Sequence, residues 1–213
     1  MENQPDEVLL IKSLRAGDDS SFTRIVEQFH TSMVRLAYTI LGDQAIAEEV
    51  AQETWLAVLQ GLQGFEGRSS LKTWIFTILT NRAKTRSQRE SRSTSYFELE
   101  ELFFESPSVN PDRFNPPSAE KWPGHWAKKP ISWTNIPEET LLSSEVSDTI
   151  KFAIDSLPKN QKVVITMRDI DGFSSEEVCN ILEISETNQR VLLHRARAKV
   201  RQTLEDYLNS EVQ

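Results

Sequence analysis

The stretch Ser174–Arg201, SSEEVCNILEISETNQRVLLHRARAKVR, decides the fold. Ser174 and Glu177 have the spacing of a capping box, and Val178, Ile181 and Leu182 give the short helix behind it one apolar face. Ser185 can cap a second helix after a tight turn, and that helix carries Arg190, Arg195, Arg197, Lys199 and Arg201. A short helix, a tight turn and a basic second helix form the pattern of a helix-turn-helix, whose second helix fits the DNA major groove. Capping would place Thr187, Asn188, Arg190 and Val191 nearest the base edges and leave the later cations for phosphates. A solvated basic helix is the plainer reading of the same residues. His194 has no second ligand at helical spacing and reads as a packing or backbone-contacting residue rather than a metal ligand.

The rest of the composition narrows the function. The chain has 213 residues, 38% of them hydrophobic, and a formal net charge of −8, which argues against coating nucleic acid by bulk electrostatics. No run approaches the roughly 18 apolar residues of a membrane span, and Met1–Pro5 lacks a basic-then-apolar leader, so a cytoplasmic protein without membrane insertion is expected. The single cysteine, Cys179, reads as buried core, and three dispersed histidines make no metal site. With no nucleophile triad or phosphate-cradling loop, neither an enzyme nor a cofactor is expected.

Upstream, Phe22, Ile25, Val26, Phe29, Met33, Leu36, Ala37, Ile40 and Leu41 follow helical spacing, ended by Gly42. Asp43 can cap a helix whose apolar side is Ile46, Ala47, Val50, Ala51, Thr54, Trp55, Val58, Leu59 and Leu62, with Glu48, Glu49, Gln52 and Glu53 mostly on the other face. Gly61, Gly64 and Gly67 break it into a loop. Ser69 or Ser70 can cap a third helix with the stripe Leu71, Trp74, Ile75, Ile78 and Leu79, whose later turns bear Arg82, Lys84, Arg86, Arg89 and Arg92. Phe65 and Trp74, among Arg68, Ser69, Ser70, Lys72 and Thr73, suit single-stranded DNA, where bases stack on aromatics, but aromatics at helical spacing usually pack, and a core with a serine cap is the preferred reading of these residues alone.

Periodicity fails from about Ser93 to Val146, which holds seven of the nine prolines, acids at Glu98, Glu100, Glu101, Glu105 and Asp112, and Trp122, Trp126 and Trp133. This reads as a linker at residues 93–146. Helical pattern resumes with Ile150, Ala153, Ile154 and Leu157 before Pro158, then Val163, Val164, Met167 and Ile170 before Asp171 and Gly172. The expected class is all-α: two helical domains, 1–92 and 147–213, joined by a proline-rich linker, the second a helix-turn-helix.

Together, LAYTILGDQAIAEEVAQETW, FEGRSSLKTWIFTILTNRAKTR, LPKNQKVVITMRDIDGFSSEEVCNILEIS and NQRVLLHRARAKVR resemble the extracytoplasmic-function group of bacterial sigma factors. The resemblance implies a first domain that binds the clamp helices of core RNA polymerase and the minus-ten promoter element, and a second that binds the minus-thirty-five element and the flap. It places Glu48, Glu49, Gln52 and Glu53 on the clamp-binding stretch. Arg68, Ser69, Ser70, Lys72, Thr73, Trp74, Asn81, Arg82, Lys84 and Arg86 fall on the melted minus-ten strand. Thr187, Asn188, Arg190, Val191, His194, Arg195, Arg197 and Lys199 fall on the duplex minus-thirty-five element. It also implies an anti-sigma factor as a partner. Two departures stand out: Thr85, where many members have aspartate, and Gln189–Leu192, which makes the recognition surface unusual. The alternative is a stand-alone helix-turn-helix regulator.

Overall fold

A computed structural model describes residues 5–90, 118 and 144–211, and every regular element among them is helical. Two compact units divide the chain, with boundaries at Glu98/Leu99, Ile165/Thr166 and Gln189/Arg190. Among the described residues, the first holds the four N-terminal helices together with Thr166–Gln189.

Helix α1 spans Pro5–Arg15, with Asp6 and Glu7 in its first turn and Lys12 and Arg15 in its last, each matched to the helix dipole. It buries Ile11 and Leu14. Sequence reading did not assign this helix. Helix α2, Asp19–Leu41, starts on Asp18, whose carboxylate accepts from the Ser21 amide at 2.9 Å. Hydrogen bonds from Ser21 and Ser20 hold that carboxyl below its ordinary range. Gly42 ends the helix at φ 79°, as expected, its amide donating to the Tyr38 carbonyl.

Helix α3, Gln44–Gly61, is capped by the Asp43 side chain on the Ile46 amide. Its buried side is Ala47, Val50, Ala51, Thr54, Trp55 and Val58. Leu59, expected on that side, is 48% exposed: at 100° per residue it lies beyond the edge of the arc centred on Ala47, Thr54 and Val58. A short 3-10 turn, Leu62–Gly64, opens the loop.

Helix α4 spans Leu71–Glu90. Two of its unpaired first-turn amides find acceptors: Ser70 Oγ takes Thr73 at 3.0 Å, and the Glu7 carboxylate of α1 takes Leu71 at 2.6 Å. Its buried residues are Leu71, Thr73, Ile75, Phe76, Leu79, Thr80 and Ala83, a wider face than the sequence stripe, while Trp74 and Ile78 are only half-buried. Edge-to-face rings join the helices, Phe22 with Trp55 at 5.8 Å and Phe29 with Phe76 at 6.1 Å.

The proline-rich segment, with Trp122, Trp126 and Trp133, lies outside the described residues except at Ser118 and from Ser144 on. Helix α5, Ser144–Asp155, begins ahead of the expected resumption and buries Val146 and Ala153. Tyr207 donates to Glu145 at 2.8 Å, tying the last helix to α5 within the second unit. Helix α6, Lys159–Ile165, runs into a π-helical turn, Thr166–Ile170. The Asp171 amide donates five residues back to Thr166, and this wider turn slows the rotation of the face. Ile170, read as part of the apolar stripe, is consequently 48% exposed.

Helix α7, Ser175–Leu182, has the expected capping box, with Ser174 and Glu177 exchanging hydrogen bonds at 3.1 and 2.7 Å. Glu183 closes it in the left-handed region at φ 61°. Helix α8, Glu186–Glu211, is capped by Ser185 Oγ on the Asn188 amide at 3.1 Å.

Candidate nucleic-acid interface

The loop before α4 is built on α1. Arg15 donates to the carbonyls of Leu62, at 3.2 Å, and Phe65, and Gln63 Nε2 donates back to the Arg15 carbonyl at 3.0 Å. Phe65 is buried, and its ring packs 4.8 Å from that of Trp74. Trp74 lies so close to Gly61 that a Cβ there would come within 3.1 Å of the indole, which explains a small residue at the end of α3. Of the two readings of these aromatics, Phe65 is core, whereas Trp74 keeps part of its surface. Arg68 stands exposed at the tip, paired with Glu66. Thr73 is buried and hydrogen-bonded to Ser70, so its side chain is not presented to solvent.

Further along α4, Asn81 is exposed, and Arg82 and Arg86 reach back to α3, where they meet Glu53 and Glu49, each at 3.0 Å. The acids read as polymerase-binding and the arginines read as DNA-binding thus face each other across the α3–α4 seam. These are part-exposed pairs, worth about 0–1 kcal/mol each, so either partner can be withdrawn cheaply. Glu48 and Gln52 stay exposed and share a face with Leu56 and Leu59, which are 60% and 48% exposed. Sequence reading missed those two leucines as surface residues; large aliphatics at helical spacing beside exposed polar positions were the available signal. Lys84 is half-buried, and burial pushes its ammonium pKa down.

On α8, Thr187, Arg190, His194, Arg197 and Arg201 are exposed and fall on one side. His194 is therefore a surface residue, not a packing one. Asn188, Val191 and Arg195 are half-buried, and Lys199 is exposed about half a turn away from that side. Gln189 and Leu192 point inward at 3% and 4% exposure, and Ser175 Oγ donates to Gln189 at 2.9 Å. Half of the Gln189–Leu192 departure thus belongs to the turn's internal support rather than to the outer surface. Cys179 is partly exposed, its thiol pushed up by burial and by nearby Glu186. Among the described residues, no His, Cys, Asp or Glu cluster could hold a metal ion, and no helix is long and apolar enough to cross a membrane.

Comparison with known proteins places both halves. The Sigma-70 region 2 model matches residues 25–93 and the Sigma-70 region 4 model residues 147–200. The chain is 26% identical over 196 residues to the ECF RNA polymerase sigma factor SigW of Bacillus subtilis (strain 168), covering 92% of this chain and 95% of that one. It is 28% identical over 202 residues to the ECF RNA polymerase sigma-E factor of Escherichia coli (strain K12), covering 94% and 95%. Two solved structures share the fold. The sigma factor RpoE in complex with the anti-sigma factor NepR from Bartonella quintana has TM-score 0.54 and 20% identity, with 86% of this chain and 96% of that one covered. CnrH in complex with the cytosolic domain of CnrY has TM-score 0.56 and 17% identity, covering 94% and 97%. With both sigma regions matched in order and relatives aligned along nearly their whole length, the chain belongs to the extracytoplasmic-function family of RNA polymerase sigma factors.

Proposed function

We propose that the chain works as three parts: residues 1–92 dock on core polymerase and open the minus-ten element, residues 93–146 link, and residues 147–213 read the minus-thirty-five element. The observation that carries this reading is the pair of separate cationic surfaces, the Arg68 loop with α4 and the exposed side of α8, in a chain of net charge −8. A whole protein this acidic gains little affinity from bulk charge, so local cations must be delivered to DNA by a partner that supplies the remaining binding energy.

The exposed Glu48, Gln52, Leu56 and Leu59 offer that partner an apolar strip with a polar edge. On α4, the cations and the half-exposed Trp74 suit a single strand, where bases stack and phosphates are neutralised. On α8, the exposed Arg190 reads a base edge, and the exposed Arg197 and Arg201 hold the backbone. The chain contributes positioning and strand capture, while nucleotidyl transfer stays with the polymerase, in the cytoplasm. RpoE was solved with the anti-sigma factor NepR and CnrH with the cytosolic domain of CnrY, and an anti-sigma factor is the corresponding candidate partner here.

Transcription reconstituted from core polymerase, this chain and a genomic promoter library tests the reading. Transcripts that require the chain and share two spaced upstream elements are expected. Tight binding of the chain alone to a promoter, without association with core polymerase, would establish the stand-alone regulator instead.

A further inference from the structure

Helix α1 holds the loop before α4 on both sides of its exposed tip. Ahead of the tip, Arg15 donates to two carbonyls three residues apart, Leu62 at 3.2 Å and Phe65, while Gln63 Nε2 donates back to the Arg15 carbonyl at 3.0 Å. Beyond the tip, the Glu7 carboxylate accepts the Leu71 amide at 2.6 Å, across 64 residues of chain. That amide opens α4, whose first turn carries Lys72 and no acid of its own, so Glu7 supplies the negative charge that a helix N-terminus favours. A cleft of about 730 Å³ lies between the two elements, lined by Val8, Ile11, Lys12 and Arg15 from the helix and by residues 63–67 from the loop. Gly67 passes through the left-handed region at φ 70°. Hydrogen bonds from α1, with buried Phe65 as an anchor, fix this backbone more than continuous packing does.

We propose that Glu7 and Arg15 are positioning residues for capture of the minus-ten strand: they hold residues 66–70 in the geometry that receives it. This rests on the reading of the Arg68 loop as part of the minus-ten surface. Arg68, Ser69 and Ser70 all lie between the two ties, so Glu7 and Arg15 act on them without touching DNA. A released loop containing Gly64 and Gly67 samples many backbone arrangements, and a strand binds only those that align the loop with the half-exposed Trp74. The ties remove that ordering cost before the strand arrives. Charge alone predicts the reverse for Glu7, because an acid beside a phosphate backbone repels it. The Leu71 amide accounts for an acid at this surface.

The test uses core polymerase reconstituted with the full chain and a promoter recovered from the genomic library, presented as two fluorescein-labelled probes read by anisotropy. One probe is a fork, duplex upstream and single-stranded over the minus-ten element; the other is the upstream duplex alone. If release leaves the loop correctly set about a tenth of the time, Glu7→Ala and Arg15→Ala each bind the fork about tenfold more weakly, with upstream-duplex and core-polymerase binding unchanged. Glu7→Gln loses the same charge but keeps an acceptor oxygen for the Leu71 amide, and it returns toward wild-type affinity. Hydrogen exchange shows residues 66–71 deprotected in Glu7→Ala while α2 and α3 keep their protection. Wild-type fork affinity in Glu7→Ala, or a loss shared equally by Glu7→Gln, overturns the positioning role while leaving the minus-ten reading standing. An equal loss of core-polymerase binding does the same by making α1 a general support of the domain, as does a reduced salt dependence in Arg15→Ala, which makes Arg15 a phosphate contact. A wild-type holoenzyme that binds fork and upstream duplex alike overturns the minus-ten reading and this proposal with it.

Discussion

Helices α4 and α8 carry similar cations at different exposure, half-buried on α4 and exposed on one side of α8. On α8, Arg190, His194, Arg197 and Arg201 are exposed on one side of a helix whose first turn is braced from within by Gln189. On α4, Arg82 and Arg86 are paired with acids of α3, Lys72 lies over Phe173, and Lys84 donates to a carbonyl. On the proposed function, the exposed side of α8 is the one that meets the duplex. On the proposed function, the half-buried α4 cations exchange these protein partners for nucleic-acid ones once the strands separate.

The strongest way to break this contrast is to truncate one residue on each helix, a core ring of α4 and an exposed cation of α8. Phe76→Ala removes a ring packed between Phe29 and Phe173, and about 3–5 kcal/mol of unfolding free energy is expected to go, read by chemical denaturation. Arg197→Ala should stay within about 0.5 kcal/mol of wild type in the same assay. A comparable loss from Arg197→Ala would mean that Arg197 is embedded rather than exposed.

Next in size, Arg190→Ala is expected to weaken holoenzyme binding to its own promoter by about 1–3 kcal/mol, with the loss confined to particular upstream bases. A uniform loss over all upstream sequences would make Arg190 a phosphate contact. Ser174→Ala deletes one half of the capping box and should cost about 1 kcal/mol of stability, with a smaller loss for Glu177→Ala.

The smallest effect is titration of Asp171. Burial raises its carboxyl pKa in the folded chain, with hydrogen bonds from Ser32 and Arg35 and the charges of Arg35 and Lys72 offsetting part of the shift. A raised folded-state value means stabilisation that is full below the ordinary carboxyl pKa and is lost as pH rises through the raised value. Thermal melts across that window should show wild type declining relative to Asp171→Asn. The opposite slope would mean that the Arg35 pair outweighs burial.

Capping and turn chemistry were legible in the sequence because they are local: Gly42, Asp43, Ser174 with Glu177, and Ser185 all occupy their expected positions. Periodicity located α2, α3 and α4 but not the full extent of their buried faces. Leu59 and Ile170 lie outside the core because burial depends on the arc a partner covers and, at Ile170, on a π turn that a fixed 3.6-residue count cannot anticipate. Helix α1 was missed although Asp6, Glu7, Lys12 and Arg15 match a helix dipole, since Val8–Ile11 is an apolar run with no clear period. Site residues were legible as cations on helices. That Arg82 and Glu53 meet, or that Lys72 lies over the Phe173 ring, arises from long-range packing that residue type and spacing do not contain.

The most direct measurement is permanganate footprinting of a promoter recovered from the library, using core polymerase with wild type, Arg68→Ala/Asn81→Ala or Arg190→Ala at saturating enzyme. Wild type should expose minus-ten thymines only when core polymerase is present. The α4-side variant should lose that reactivity while keeping upstream protection, and Arg190→Ala should lose upstream protection first. Thymine exposure by core polymerase without the chain, or unchanged exposure with the α4-side variant, would contradict a division of labour in which α4 captures the opened strand and α8 reads the duplex.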